Sequence, residues 1–222
     1  MRKGAASPPV GVTAGEVQFA SLAVAAVYAV MAFGLFRPAL KARAAEAAPV
    51  RARREVPAVV DRLWVSTQAW VLLAILVGIV WPEAFALSPV SLQGASNLGA
   101  VLLGALVAVG GCALVAWASK HLGAELAVAI EAREGGRLVT TGPYARVRHP
   151  IYTGVFLIVA GVALMAASPL LAAYGAVAVY CANARARAEE DLFIHDAVHG
   201  ERYACYKAHT GRFLPSAARS RP

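Results

Sequence analysis

The chain has 222 residues, of which 59% are hydrophobic and 15% charged, with a formal net charge of +8 and a mean hydropathy of +0.59. An ordinary soluble domain is about half apolar and about a quarter charged, so both departures argue against a water-soluble globular enzyme, and disorder over most of the chain is excluded because disordered segments are polar and charge-rich. The surplus of Lys and Arg reads as the cytoplasmic flanks of membrane spans rather than as a nucleic-acid surface.

Taken in order, the chain opens with a short tail, residues 1–16, holding Arg2, Lys3, Pro8, Pro9 and Gly11. Four stretches then lack Asp, Glu, Lys and Arg altogether: 17–36, 63–82, 84–119 and 150–184. A span needs about 20 mainly apolar residues, because the hydrocarbon core is about 30 Å thick and each helical residue rises about 1.5 Å. The first two stretches hold one span each. The basic flank follows the first run instead of preceding it, so an uncleaved span is expected there and not a signal peptide. The third stretch begins with a turn-rich segment and offers one span over 98–118. The fourth is divided at Ser168-Pro169, because proline disfavours helix at the preceding residue, and reads as a tight hairpin of two short spans.

The basic residues fix the orientation. Arg37, Lys41, Arg43, Arg51, Arg53, Arg54 and Arg62 lie between spans one and two; Lys120, Arg133, Arg137, Arg146 and Arg148 lie between spans three and four. Arg185, Arg187, Arg202, Lys207, Arg212, Arg219 and Arg221 follow span five, and only Arg2 and Lys3 fall on the other side. Five spans put the three basic segments on one face, which the positive-inside rule makes cytoplasmic, and Trp64 and Trp81 bracket the second span as interfacial aromatics do. The expectation is an all-α integral membrane protein of five transmembrane helices. Its parts are an outside tail (1–16), three spans (17–118), a cytoplasmic loop (119–149), a hairpin of spans (150–184), cytoplasmic C-terminal helices (185–215) and a tail (216–222). The alanine- and arginine-rich composition reads as bacterial, which makes the membrane the inner one. Ala100, Gly104, Ala108 and Cys112 recur at four-residue spacing on span three, a stripe of small residues that lets helix backbones approach. Cys112, Cys181 and Cys205 give neither metal spacing nor a disulfide framework, and no metal is expected.

Chemistry is expected where polar residues crowd at the membrane exits. Pro150 suits the first turn of span four, which puts His149 at the helix entrance beside Arg146 and Arg148, with Tyr144 and Tyr152 close by. A basic collar with one interfacial histidine would explain an isolated His; five such residues within nine positions point to a site instead. After span five come Arg185, Arg187, Glu189, Glu190 and Asp191. Read alone, this is a solvated helix with an i, i+4 ion pair contributing under about 1 kcal/mol. Its position at the end of a hairpin, returning toward His149, favours a cavity. Carboxylates facing a histidine and arginines suit a small zwitterion such as S-adenosylmethionine; a nicotinamide dinucleotide would use the arginines for its phosphates, and physics alone leaves both open.

The run Leu138-Val139-Thr140, Gly142-Pro143-Tyr144, Arg148-His149-Pro150-Ile151-Tyr152-Thr153-Gly154, followed by Arg185, Glu189-Glu190, Gly200, Tyr203 and Tyr206, resembles the isoprenylcysteine carboxyl methyltransferase family. More broadly it resembles membrane methyltransferases that include phospholipid N-methyltransferases. The resemblance covers 138–215, about the last third. It implies transfer of a methyl group from S-adenosylmethionine to a lipophilic acceptor at the cytoplasmic face, leaving S-adenosylhomocysteine. By motif, Leu138, Val139, Tyr144, His149, Pro150, Tyr152 and Glu189 would line the cofactor pocket, formed between the loop before helix four and the C-terminal helices. Arg185 and Glu190 would serve the reaction, Arg185 facing the acceptor. The chain departs from the family at Gly136, where members often carry His, and in a longer 191–199 segment, and Tyr203 and Tyr206 read as packing residues.

Methyl transfer from a sulfonium releases a neutral thioether, so it asks for positioning more than for acid–base groups. An anionic carboxylate acceptor needs no base, whereas an amine must first lose a proton, and only Glu190 and His149 are candidates for that. A carboxylate on an isoprenoid or other lipid is therefore favoured. The rivals are a lipid or sterol reductase using reduced NADP, against which the small number of spans counts, and a small transport or assembly protein, against which the charge-free spans count. The expected partners are the lipid bilayer and the lipophilic acceptor, with no nucleic acid.

Overall fold

The computed structural model describes residues 14–31, 49–81, 98–126, 130–166 and 168–216. Arg2, Lys3, Arg37, Lys41, Arg43, Arg219, Arg221 and the 82–97 loop lie outside the described residues. Among the described residues six α-helices run in chain order: α1 Ala14–Met31, α2 Ala58–Val80, α3 Leu98–Leu122, α4 Pro150–Met165, α5 Pro169–Ile194 and α6 Gly200–His209. Two short strands, β1 Val50–Arg53 and β2 Glu131–Arg133, and two 3-10 turns, Gly123–Glu125 and Gly142–Ala145, accompany them.

The helix boundaries follow from the local chemistry. Pro57, Pro150 and Pro169 stand at or beside helix starts, where a missing N–H is harmless. The Ser168 hydroxyl accepts the Leu171 N–H at 3.4 Å, capping α5. Between α4 and α5 the chain turns at the Ser168-Pro169 step. Helix α5 then continues from its apolar half through Arg185, Glu189 and Glu190 to Ile194 without interruption. The charged residues thus ride on the same rigid rod as the apolar half.

Helices α2 and α3, of 23 and 25 residues, are long and apolar enough to cross a membrane, and α4 is a shorter apolar helix of 16. Their outward faces are apolar: Leu72, Leu76 and Val80 on α2, Leu102, Leu103 and Leu106 on α3, and Tyr180 on α5 are exposed. A water-soluble protein does not leave apolar surface on this scale uncovered. The core lies between the helices, with Val71, Ile75, Val101, Ala108, Cys112, Val115, Ile158, Val159 and Val162 at its centre. Helix α4 is its hub, packing chiefly on α3 and also on α5 and α2, while α1 bridges α2 and α3.

The α3–α4 contact is made backbone to backbone. A methyl group on Gly104 would fall 2.6 Å from the Gly161 carbonyl oxygen, and one on Gly161 would fall 2.5 Å from that of Gly104. One turn-pair along, Gly111 and Gly154 meet in the same way. Three of the four residues of the small stripe, Gly104, Ala108 and Cys112, are buried here, and Gly111 extends it.

The two strands qualify the all-α expectation. β1 pairs antiparallel with β2, Ala52 opposite Ala132 and Arg53 opposite Glu131. The run Val-Arg-Ala-Arg reads as solvated loop in the sequence; its backbone groups find partners only because the loop after α3 passes alongside. This pairing ties the segment before α2 to the segment before α4. Arg51 and Arg54 then reach Asp196 and Asp191 near the end of α5. Three segments far apart in sequence therefore gather at one end of the bundle. Toward the opposite end, the Gln18 amide donates to the Ile79 carbonyl at 2.8 Å, joining the start of α1 to the end of α2.

Candidate active site at the membrane exit

Four segments converge at the basic end: the first turn of α2, the 142–149 turn leading into α4, the second half of α5, and the stretch after α6. Gly142 takes a φ of +59°, which glycine adopts at little cost, and starts a 3-10 turn over Gly142–Ala145. That turn buries Tyr144. Pro150 at the head of α4 disfavours helix at the residue before it, so His149 leaves the helical path with φ −126° and ψ 64° and becomes the N-cap, 9% exposed.

Among the described residues Glu190 is the most deeply buried charged side chain, 1% exposed. Arg148 Nη2 and Nε donate to its Oε1 at 3.0 and 3.1 Å. Arg212 Nε donates to the same oxygen at 2.8 Å and its Nη2 to Oε2 at 2.9 Å. Lys207 Nζ stands 3.3 Å from Oε2. Burial alone would raise the Glu190 pKa, but His149, Arg212 and Arg148 hold it far below the usual carboxylate range. The arginines are themselves tied down. Arg148 also donates to the Lys207 and Thr210 carbonyls, and Arg212 Nη1 donates to Asn183 Oδ1 at 2.6 Å. The chain after α6 is laced to the α4 entrance by Arg148 N–H to Gly211 O at 2.8 Å and His149 N–H to Arg212 O at 3.0 Å.

Beside this cluster lies a second. His149 Nδ1 is 3.2 Å from Glu189 Oε2, and its Nε2 is 3.4 Å from Glu190 Oε1, close in charge but without an aligned hydrogen bond. Burial disfavours the imidazolium, yet the two glutamates outweigh it and raise the His149 pKa. Burial likewise pushes Glu189 up, and His149 and the Tyr152 hydroxyl bring it below its ordinary value. Tyr152 donates its O–H to Glu189 Oε1 at 2.7 Å and accepts from Arg185 Nε at 3.3 Å. Arg185 Nη1 donates to Asp61 in the first turn of α2. Aromatic rings wall the group: Trp64 meets Tyr152 edge-on at 5.2 Å, and Phe213 lies 6.0 Å from His149 and 6.3 Å from Tyr152.

Among the residues singled out from the sequence, the structure thus brings His149, Tyr152, Arg185, Glu189 and Glu190 into one connected group. Pro150 is buried at its base. Tyr144 sits behind the group, its carbonyl accepting the Tyr206 hydroxyl at 2.7 Å. Leu138 and Val139 are half-buried further back along the same segment, near Gly136, whose carbonyl lies 2.7 Å from His199 Nε2. Sequence reasoning passed over Asp61, Asn183, Lys207, Arg212 and Phe213. A signal for Asp61 did exist: it is the acid just outside the charge-free run of α2, as Arg185 is the base just outside that of α5. Nothing local marks Arg212.

Residues 100–196 match the family model for phospholipid methyltransferase. The match runs from α3 to Asp196, so it includes every site residue expected from the sequence and leaves out Asp61, Lys207 and Arg212. Over that stretch, somewhat under half of the chain, the protein is similar to that family of membrane methyltransferases. No curated protein matches the chain.

Proposed function

We propose that the protein is an integral-membrane enzyme that moves a methyl group from S-adenosylmethionine to the polar end of a lipophilic acceptor, with its site on the cytoplasmic face. The observation that carries this reading is the His149–Glu189–Tyr152–Arg185 group at the mouth of the helix bundle, inside the matched domain. The donor set suits the cofactor. Glu189 offers carboxylate oxygens to an ammonium or sulfonium, and the faces of Tyr152, Trp64 and Phe213 favour a soft cation. S-adenosylmethionine, when bound, supplies an electrophilic methyl whose S–C bond breaks as the bond to the acceptor forms.

The protein's own groups position and shield. Glu189 holds the cationic end, and Tyr152 orients Glu189. Glu190, already bound by two arginines, is a positioning residue that fixes the α4 entrance and the strap after α6, not a proton acceptor. Arg185 lies between the Glu189 group and α2, where an acceptor arriving from the bilayer would meet it. Exclusion of water by the aromatic wall strengthens these charge interactions.

A carboxylate acceptor remains the preferred reading, because Glu190 and His149 are both committed to ion pairs and neither is poised to deprotonate an amine. A second reading, N-methylation, is favoured by one observation: Asp61 already partners Arg185 and is half-exposed, so it could take an amine headgroup. Membrane placement follows the five-span scheme, with α1 to α4 and the apolar half of α5 crossing, the β1, β2 and C-terminal segments in the cytoplasm, and the inner membrane of a bacterium as the location. The gathering of the basic segments at one end supports it.

Calorimetry with S-adenosylhomocysteine tests the cofactor: micromolar binding is expected in the wild type and none in Glu189→Ala. Binding of reduced NADP instead would sink the reading. Labelled-methyl transfer to a membrane lipid extract, with mass spectrometry of the product, identifies the acceptor.

A further inference from the structure

A cleft of about 620 Å³ opens between β1 and the end of α5, with Arg51, Arg53, Arg54, Asp191, His195 and Asp196 in its lining. Its volume falls within the range of about 300–1,000 Å³ that small-ligand pockets occupy. None of these residues belongs to the group around Glu189 and Glu190. Asp191 follows Glu190 directly, and one step along a helix turns the side chain by about 100°, so the two project from different sides of α5. Arg51 and Arg53 stand two apart in β1, the spacing that sends side chains to one face of a strand.

The cleft carries a surplus of positive charge, because three arginines face two aspartates. Arg51 pairs with Asp196 and Arg54 with Asp191, which ties the two walls together. Arg53 lines the same cleft, is exposed, and has no ion-pair partner among the described residues. The two bridges hold the walls in place and leave one guanidinium for an incoming anion. Arg54, 57% exposed, has donors left over after Asp191. A guanidinium fork matches the oxygens of a phosphate two at a time.

Two observations favour a lipid over a soluble phosphate. Val50 and Val198 are exposed, one next to Arg51 and the other next to Ala197 of the lining, and an apolar rim suits the glycerol-ester and acyl carbons of a lipid. The basic segment also leads straight into α2, one of the two helices long and apolar enough to cross a membrane. With Arg62 on α2 it forms a cluster of four arginines beside a span, an arrangement that attracts anionic headgroups. We infer that this cleft binds the phosphate of an anionic phospholipid headgroup from the adjoining leaflet, with Arg53 as its principal partner. The site goes beyond the methyl-transfer reading and rests only on the membrane setting.

The test titrates dioleoylphosphatidylglycerol against the purified full chain in detergent and counts bound lipids by mass spectrometry of the intact complex. Wild type is expected to hold one lipid at least about tenfold more tightly than dioleoylglycerol, which lacks the phosphate. Arg53→Gln should weaken that lipid about tenfold, the scale of one charge-assisted contact. Arg202→Gln removes the same charge from the exposed face of α6, outside the cleft, and should change the affinity by less than about twofold. Equal affinities in the two variants overturn the inference, because the effect is then net charge or nothing. So does wild type that holds dioleoylglycerol as tightly. Displacement of the lipid by an equal concentration of glycerol 1-phosphate would make this a soluble-phosphate site and overturn the lipid assignment. Release of the chain from membranes by salt without detergent would instead bring down the membrane setting, and this inference with it.

Discussion

Glu190 has four cationic neighbours, Arg148, Arg212, Lys207 and His149, on one buried carboxylate. Removing it leaves those charges without their counter-charge, at a cost of about 3–5 kcal/mol. Glu190→Ala is therefore expected to unfold far more easily in detergent, while Glu201→Ala, exposed on α6, should change stability by less than about 0.5 kcal/mol. The pH dependence has two signs. The pKa of His149 is raised on folding, so its contribution is complete below its ordinary value of 6.5 and is lost as pH rises through the raised one. That of Glu190 is depressed, so its contribution is present above 4.5 and is lost as pH falls through the depressed value. Thermal unfolding followed from neutral to alkaline pH should show a decline that is shallower in His149→Gln. At Arg185 the prediction separates binding from turnover: Arg185→Ala keeps S-adenosylhomocysteine binding and loses methyl transfer. Asp61→Asn then discriminates the acceptors, lowering KM for a carboxylate that no longer competes with Asp61 and abolishing transfer to an amine.

At the level of elements, the α3–α4 contact and the rod of α5 position everything else. Gly161→Ala places a methyl group 2.5 Å from the Gly104 carbonyl and 2.6 Å from the Ala108 nitrogen, so α4 must shift, at about 1–3 kcal/mol. That shift carries His149 and Tyr152 with it, and cofactor affinity should fall together with stability. Gly110→Ala, at the residue next to Gly111 on α3 but with open space around it, should lower neither. Helix identities were legible in the chain because charge-free runs and helix-starting prolines are local signals. The β1–β2 pairing was not legible, because short arginine-containing strands acquire partners only when two distant loops meet.

The three free cysteines report on the whole molecule. Cys112 and Cys181 are buried, and Cys205 on α6 is exposed. On the proposed topology, which puts the C-terminal helices in the cytoplasm, a membrane-impermeant maleimide should leave intact cells unlabelled and attach once per chain after permeabilisation. Labelling of Cys205 in intact cells would invert the topology and move the site to the other side of the membrane.

The sequence by itself determined the setting: long charge-free helices of membrane character, flanked by basic segments, with polar clusters at the exits of the last two apolar runs. It could do so because lipid acts on each stretch independently of the rest, excluding charge residue by residue. It also marked Arg185 and the Glu189-Glu190 pair, since charges that abruptly follow a long apolar run need a reason. Tertiary structure decided which side chains meet. Glu190 is a buried anchor because Arg148, 42 positions away, and Arg212, 22 away, converge on it. Arg185 meets Asp61 across 124 positions, and His199 meets Gly136 across 63. Such pairings depend on how the helices pack and how the loops return, and a charge pattern read along one dimension does not contain them.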